Sequence, residues 1–196
     1  MPFRPATSAR VPARPALAYK EASTSGRGTR SMKTTLSATA ALLAAASVAQ
    51  AAPEQVATYR DWFVYTNGEG DQKVCYAVTT PKDEAPASVR HGDVYVMVAT
   101  WASGAATQQP SFMAGYPLRE APEPQIRIGS DRWEMFTSGR EGFVEASRDE
   151  ERLVAAMRRG ADMRLSAMSE RGTATEYSFS LLGVSNALDR AAQACR

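Results

Sequence analysis

Residues 52–196 are predicted to form a mainly β domain, an antiparallel β-sandwich or a partly closed barrel with one mid-chain helix and a C-terminal helix. Three observations favour this class. Short segments of alternating polar and apolar residues recur along the chain, turn residues separate them, and helical spacing of apolar residues appears in only two places. A single domain of this length can bury a hydrophobic core of its own.

The predicted strands are short segments rich in Val, Ile, Tyr, Phe and Trp. They follow a short lead-in at 52–58, and in chain order they are 59–66, 73–79, 93–101, 112–118, 125–128, 132–137, 142–146, 163–167 and 176–181. Loops are predicted at 81–92, 103–110 and 119–124. Apolar residues on both faces of 93–101 predict a strand at the centre of the core.

Three hairpins are predicted from the turn residues between strands. Asn67-Gly68 follows the first strand, and an Asn-Gly pair in that position is a strong hairpin signal. We interpret 68–70 as a turn and not as a phosphate-binding loop, because no helix pattern follows it. Turns at 129–131 and 170–173 join the two later strand pairs.

Two segments have the apolar spacing of a helix. In 147–160, Ser147 and Glu150 predict a capping box and Gly160 predicts a left-handed cap. The charges between Arg148 and Arg152 are expected on the solvated first turn. In 185–196 one side of the predicted helix is apolar and carries Ala187, Leu188, Ala191, Ala192 and Cys195.

The first 51 residues differ in composition from the rest. Lys33, the apolar run 36–48 and Ala49-Gln50-Ala51 have the order of a secretory signal peptide, so 32–51 is predicted to be removed. The apolar run is shorter than the about 20 residues that cross a bilayer, so we expect no membrane span. We interpret residues 1–31 as a disordered extension, either a mis-assigned start or a transit-type leader.

The charge balance argues against nucleic acid as a partner. Residues 1–51 hold seven of the 23 basic residues and one of the 21 acidic residues, which leaves residues 52–196 with a net charge of −4. A mildly acidic domain lacks the positive surface that neutralises phosphates.

The two cysteines are predicted to form a disulfide bond. Cys75 lies in a predicted strand, and Cys195 lies on the apolar side of the last helix. Disulfides persist in exported proteins, so a Cys75–Cys195 bond is expected, with two buried free thiols as the alternative.

No catalytic, cofactor or metal site is predicted. His91 is the only histidine, and we expect it to be a solvated loop residue because no nucleophile motif accompanies it. One histidine and two paired cysteines cannot form a zinc site. A calcium site at Asp71 or Asp131 stays open, although neither lies in a recognisable loop. Paired carboxylates for glycoside chemistry require a distance that sequence does not give.

Aromatic residues are spread over the predicted strands, and core packing is expected to account for most of them. Trp62 and Phe63 are adjacent and must point to opposite faces of one strand. One of the two therefore needs cover from a helix, a loop or a partner. The aromatic residues considered are Trp62, Phe63, Tyr65, Tyr76, Tyr95, Trp101, Trp133 and Phe136.

The chain resembles the invasion-associated locus B family. The resemblance lies in the stretch 153–188, LVAAMRRGADMRLSAMSERGTATEYSFSLLGVSNAL, and in Trp62-Phe63-Val64 followed by Cys75. It implies an exported β-rich envelope protein of alphaproteobacterial type, associated in pathogens with host-cell entry, and it implies no known catalytic residues. Many relatives carry further cysteines near the positions of Tyr65 and Phe143, so their disulfide pattern does not transfer.

These observations lead to one expected function and two alternatives. The first is a periplasmic or secreted interaction protein without catalytic activity, whose partner is an unknown protein or envelope component. The alternatives are an envelope hydrolase acting on glycan or peptide and a carrier of a small apolar ligand. Converging carboxylates in a deep pocket would favour the hydrolase, an apolar cavity the carrier, and a flat aromatic patch the interaction protein.

Overall fold

The computed structural model describes residues 52–196, which form twelve strands, two α-helices and a short 3-10 helix at Gly70–Gln72. The predicted signal peptide at 32–51 and the extension at 1–31 lie outside the described residues. The strands are β1 (Glu54–Tyr59), β2 (Trp62–Asn67), β3 (Val74–Thr79), β4 (Asp83–Ala85), β5 (Tyr95–Trp101), β6 (Gln109–Met113), β7 (Gln125–Ile128), β8 (Asp131–Glu134), β9 (Phe136–Ser138), β10 (Glu141–Phe143), β11 (Asp162–Met168) and β12 (Ala174–Ser180). The helices are α1 (Ser147–Arg159) and α2 (Val184–Ala194).

The strands form two antiparallel sheets, and neither closes into a barrel. The seven-stranded sheet has the order β1-β2-β3-β5-β6-β10-β9, and the five-stranded sheet has the order β4-β12-β11-β7-β8. The predicted mainly β class with one mid-chain and one C-terminal helix is therefore confirmed, in its sandwich form. The strand predicted at the centre, β5, is the middle strand of the larger sheet.

One hydrophobic core lies between the sheets and includes the apolar sides of both helices. The Phe112 ring of the larger sheet contacts the Tyr177 ring of the smaller one, with centroids 5.8 Å apart. The fully buried Trp62 also joins the sheets, because its indole N–H donates to the Ser180 carbonyl oxygen at 3.0 Å. The core thus fixes which face of each sheet points inward.

The first predicted strand is wrong in its bounds. The segment 52–58, predicted as a lead-in, contains most of β1, and β1 pairs with β2 across a turn at Arg60 and Asp61. Arg60 has a φ of 55°, which few residues other than glycine adopt. Arg-Asp is not a strong turn signal, so the sequence pattern did not reveal this hairpin.

The three predicted hairpins are confirmed. Asn67 pairs with Val74 across a loop that includes the 3-10 helix, β7 pairs with β8, and β11 pairs with β12 over seven residue pairs. Of the predicted strands, 125–128 matches β7 to the residue.

Three predicted segments differ from the structure. The segment 81–92 is not all loop, because Asp83–Ala85 adds β4 to the edge of the smaller sheet. The strand predicted at 112–118 ends at Met113 and begins at Gln109. The strand predicted at 132–137 is two strands, because β8 belongs to the smaller sheet and β9 to the larger one. The buried Met135 lies at the point where the chain changes sheets.

Helix α1 is confirmed, but both of its predicted caps are wrong. Its N-cap is Ala146, without a side-chain hydrogen bond, so Ser147 and Glu150 form no capping box. Gly160 has a φ of −80°, outside the left-handed region. A glycine is needed there for another reason: a Cβ atom would lie 2.7 Å from Ile128 Cγ2 and 2.8 Å from Leu181 Cδ1.

Helix α2 and the predicted disulfide are confirmed. Cys75 and Cys195 are bonded, with their Cα atoms 5.7 Å apart, and the bond fixes the end of α2 to the inner side of β3. In the described residues, neither helix has the length and hydrophobicity that a membrane crossing needs.

Candidate functional site

The outer side of the seven-stranded sheet is covered with aromatic and aliphatic side chains. Because side chains alternate along each strand, the residues next to the buried inner ones point outward together. In one row Phe63 pairs with Val78 and Val78 with Met97, and on the far edge Phe143 pairs with Phe136. We define the aromatic face as Phe63, Tyr65, Val74, Tyr76, Val78, Tyr95, Met97, Trp101, Met113, Phe136 and Phe143.

The rings of the aromatic face pack on one another. Tyr65 and Tyr76 are stacked with centroids 5.6 Å apart, and Phe136 and Phe143 are tilted with centroids 5.7 Å apart. Phe136 is 44% exposed, and the other members are half-buried. The face is therefore formed by side chains that shield one another laterally while their outer edges contact solvent.

Two hydroxyl groups on this face, those of Tyr76 and Tyr95, resist ionisation. Burial raises the pKa of Tyr76, and the neighbouring Tyr65 adds to the shift. Burial also raises the pKa of Tyr95, with a further contribution from the carboxylate of Glu141. Tyr76 and Tyr95 therefore stay neutral at ordinary pH, and their part of the face is amphipathic without phenolate charge.

Neither described helix covers the aromatic face. The disulfide attaches α2 to Cys75, which points inward, whereas its neighbour Tyr76 points outward. The apolar residues of α1 belong to the core between the sheets. The prediction for Trp62 and Phe63 thus has a definite outcome: Trp62 is the core residue, and Phe63 lies on the aromatic face.

A second candidate site, which is polar, contains His91. The prediction that His91 is a solvated residue is wrong. It is only 6% exposed. Its Nδ1 lies 2.9 Å from the Tyr177 hydroxyl oxygen, and its Nε2 lies 3.1 Å from the Pro86 carbonyl oxygen. The loop is held here by a close crossing of Gly92 and Gly115, where a Cβ atom on Gly115 would lie 2.6 Å from Gly92 Cα. Such a contact between distant glycines leaves no local sequence signal.

The hydrogen bonds at His91 continue through three hydroxyl groups. Tyr177 contacts Tyr116 at 2.8 Å, Tyr116 contacts Thr175 at 2.6 Å, and Thr175 donates to the Ala167 carbonyl oxygen at 3.2 Å. Both ends of the chain are carbonyl oxygens, which only accept. The hydroxyl groups of Tyr177, Tyr116 and Thr175 carry three hydrogens for these five contacts. With one hydrogen on the His91 ring the total is four, and with two it is five.

The His91 site contains hydroxyls and an imidazole but no carboxylate within its hydrogen-bonded chain. Burial strongly raises the pKa of Tyr177, and its hydrogen bond with Tyr116 adds to the shift, so Tyr177 stays a neutral phenol. A cleft of about 520 Å³ borders Tyr116 and Thr175, and its charged residues are Arg90, Glu170 and Arg171. The arrangement attaches the loop before β5 to the inner face of β12.

Three exposed aspartates, two of them the positions at which the sequence left a calcium site open, lie apart in the fold. Asp71 is in the 3-10 helix after β2, Asp93 precedes β5, and Asp131 begins β8. Within residues 52–196, no group of three His, Cys, Asp or Glu residues has the arrangement of a metal site. The structure does not bring the predicted calcium candidates Asp71 and Asp131 into such a group.

The charge run at the start of α1 has a contact that sequence did not indicate. Arg152 forms an ion pair with Asp149, and its guanidinium carbon lies 5.7 Å from the centre of the Trp133 ring. Trp133 is buried, and its Nε1 has no acceptor among the described residues. The predicted first helical turn is correct, and part of it covers a buried aromatic ring.

Comparison with known proteins gives one match. The family model described as Invasion associated locus B (IalB) protein matches residues 62–192, from the first residue of β2 into α2. No curated protein and no solved structure matches the chain. The matched residues include the whole aromatic face and every strand except β1.

Proposed function

The chain belongs to the invasion associated locus B family, and on that premise we propose that it is an exported, envelope-associated interaction protein without catalytic activity. The observation that carries the proposal is the aromatic face. We propose that this face binds a complementary apolar surface on another protein of the periplasm or cell exterior.

The composition of the aromatic face supports binding to a protein surface. Tyrosine, tryptophan, phenylalanine and methionine are enriched at the centres of protein interfaces, and the aromatic rings bury large areas there. This face supplies all four residue types on one side of a sheet. Tyr76 and Met97 lie in its middle strands, so a partner centred on them would exclude water from both.

Two features support export. The sequence 32–51 has the order of a signal peptide. The Cys75–Cys195 disulfide is of a kind that persists in oxidising compartments and is rare in the cytosol. Periplasmic or secreted localisation is proposed on these grounds together with the family.

The test compares capture of envelope proteins by three forms of the exported chain. We expect Tyr76→Ser combined with Met97→Ser to abolish recovery of the partner that the native chain captures, because the centre of the aromatic face is lost. Leu182→Ser is the matched control, since it removes an apolar side chain that is 53% exposed and lies outside this face. Equal recovery by the double variant and the native chain, with all three forms folded, would refute the proposal.

Complementation of a deletion strain separates this proposal from a hydrolase. Asp71→Asn and Asp93→Asn should each restore the wild-type phenotype, because these side chains are exposed and lie apart in the fold. An aspartate variant that is folded, abundant and inactive would favour the hydrolase instead. His91 is not suitable for this comparison, because its substitution also breaks buried hydrogen bonds.

A further inference from the structure

Three arginines form a continuous row on the outer side of the five-stranded sheet. Arg164 of β11 pairs directly with Arg127 of β7, and Arg127 pairs with Arg132 of β8. Neighbouring strands lie about 4.8 Å apart, so three guanidinium groups are presented side by side on one face. We call this set the arginine row. All three side chains are exposed.

The arginine row is unfavourable for the isolated domain. Like charges directly opposite on neighbouring strands destabilise a sheet. The ion pairs of the described residues join Lys82 to Asp61, Arg152 to Asp149 and Arg158 to Asp189. None of them includes a member of the arginine row. A bound anion would reduce this repulsion.

Neutral polar groups lie on one side of Arg127 and Arg164, and Asp162 lies two residues before Arg164 on the other. Two residues along each strand, Arg164 is followed by Ser166 and Arg127 is preceded by Gln125, and these two residues pair with each other. Ser178 of β12 pairs with Arg164 from the other side. Ser166 and Gln125 are the two central residues of a second row across the sheet. The carboxylates Glu176 and Glu134 lie at the two ends of that row.

Arg127 and Arg164 lie between two depressions of the surface. A cavity of about 620 Å³ is lined by both arginines, by Arg159 of α1 and by Ser130, and it also contains Asp131 and Asp162. A smaller one of about 160 Å³ lies on the other side. It is lined by the same two arginines together with Gln125, Ser166, Glu176 and Ser178. Together the two depressions, which share both arginines, have room for a ligand of a few sugar rings.

We propose that Arg127 and Arg164 bind a carboxylate of an acidic saccharide, while Ser166 and Gln125 form hydrogen bonds with its hydroxyl groups. Paired guanidinium groups bind a carboxylate through charge-assisted hydrogen bonds. The serine and amide side chains both donate and accept, as sugar hydroxyls require. This site is on the five-stranded sheet and is separate from the aromatic face.

The polarity of the surface favours a saccharide over a membrane or a protein. The large apolar side chains that are exposed in the described residues are Val89, Phe136 and Leu182, and none belongs to a strand of this sheet. Without them the face offers no group to insert into lipid and no apolar anchor for a protein interface.

The experiment measures binding of galacturonic acid trimer to the exported chain by calorimetry, with maltotriose as the neutral comparison. We expect the native chain to bind the acidic trimer and not maltotriose, with affinity that falls as salt is raised. Arg127→Gln and Arg164→Gln should each weaken binding about tenfold, because each removes a charge-assisted hydrogen bond. Arg164→Lys should lie between, since lysine keeps the charge but not the two-pronged geometry.

Arg148→Gln is the matched control, because it makes the same change of charge at an exposed position on α1. Binding that is equal in the native chain and both row variants would overturn the proposal, as would absence of binding by the native chain at low salt. Polyglutamate and phosphatidylglycerol vesicles are the remaining probes. If either binds through Arg127 and Arg164 while the acidic trimer does not, the site belongs to an acidic protein or a membrane and the saccharide proposal is wrong.

Discussion

The outer faces of the two sheets are built by the same alternation of side chains but carry opposite chemistry. On the seven-stranded sheet the outward residues include Phe63, Tyr76 and Met97. On the five-stranded sheet they include Arg127, Arg164 and Glu176, interspersed with serine. The inner faces of both sheets are apolar and contribute to one core.

The difference shows which apolar surfaces are required for folding and which are not. A sandwich requires one apolar side on each sheet, and the five-stranded sheet has that pattern. The seven-stranded sheet has a second apolar side that no described helix covers. Its outward aromatic residues are therefore better explained by binding than by folding, and the following predictions test that distinction.

The largest effect is expected on the inner side of the five-stranded sheet. Phe179→Ser should lower the free energy of unfolding by about 3–5 kcal/mol, because it empties a fully buried site and leaves a hydroxyl without a partner. Ser178→Ala, at the next position on the outer side, should change it by less than about 0.5 kcal/mol. Denaturant unfolding monitored by circular dichroism measures both, and similar losses would contradict the assignment of faces.

An intermediate effect is expected at alkaline pH on the aromatic face. Tyr76 has a raised pKa in the folded chain, so above pH about 10 the unfolded chain releases its proton first and the folded state loses stability. The stability that Tyr76 contributes is fully present below pH about 10 and is lost as the pH rises through the pKa of Tyr76 in the folded chain. Its slope cannot exceed about 1.4 kcal/mol per pH unit.

Tyr76→Phe should therefore make the alkaline loss of stability shallower, as measured by denaturant unfolding at a series of pH values. Tyr59→Phe, on β1 and outside this face, is the control. An unchanged slope in Tyr76→Phe would show that water reaches the Tyr76 hydroxyl freely, which would weaken the description of this face as partly desolvated.

The smallest effect is expected on the arginine row. Arg164→Thr should raise the free energy of unfolding by about 0.2–1 kcal/mol at low salt, because it removes a like-charge pair. The gain should shrink at high salt, whereas the higher strand propensity of threonine does not depend on salt. Ser166→Thr, at a neutral position on the same strand, gives a propensity effect without a change of charge. Thermal unfolding of the two variants at both salt concentrations separates the contributions.

Sequence alternation predicted strands that have a hydrogen-bonded neighbour on each side. The residues 125–128 and the hairpin of β11 and β12 follow directly from alternating side chains and turn residues. Strands β1 and β4 were missed because they are edge strands with mostly polar sequences. Their strand conformation depends on the neighbour with which they pair.

The candidate sites were only partly predictable for the same reason. The adjacent aromatics Trp62 and Phe63 revealed that one side of the strand needed cover. The position of His91 depends on a crossing between Gly92 and Gly115, which are far apart in sequence. The arginine row depends on the register that places Arg127 opposite Arg164. Such long-range pairings leave no periodic signal in the chain.

The disulfide bond also determines how the domain would respond to tension. Cys75 and Cys195 are separated by 120 positions, so a pull applied at residue 52 and at Arg196 passes through the bond and bypasses almost everything between them. Only residues 52–74, which contain β1 and β2, could unravel, giving an extension on the order of 80 Å. Without the bond, all of residues 52–196 could unravel, to an extended length of about 500 Å. The remainder, with β5, the His91 site and the whole five-stranded sheet, forms a mechanically protected loop.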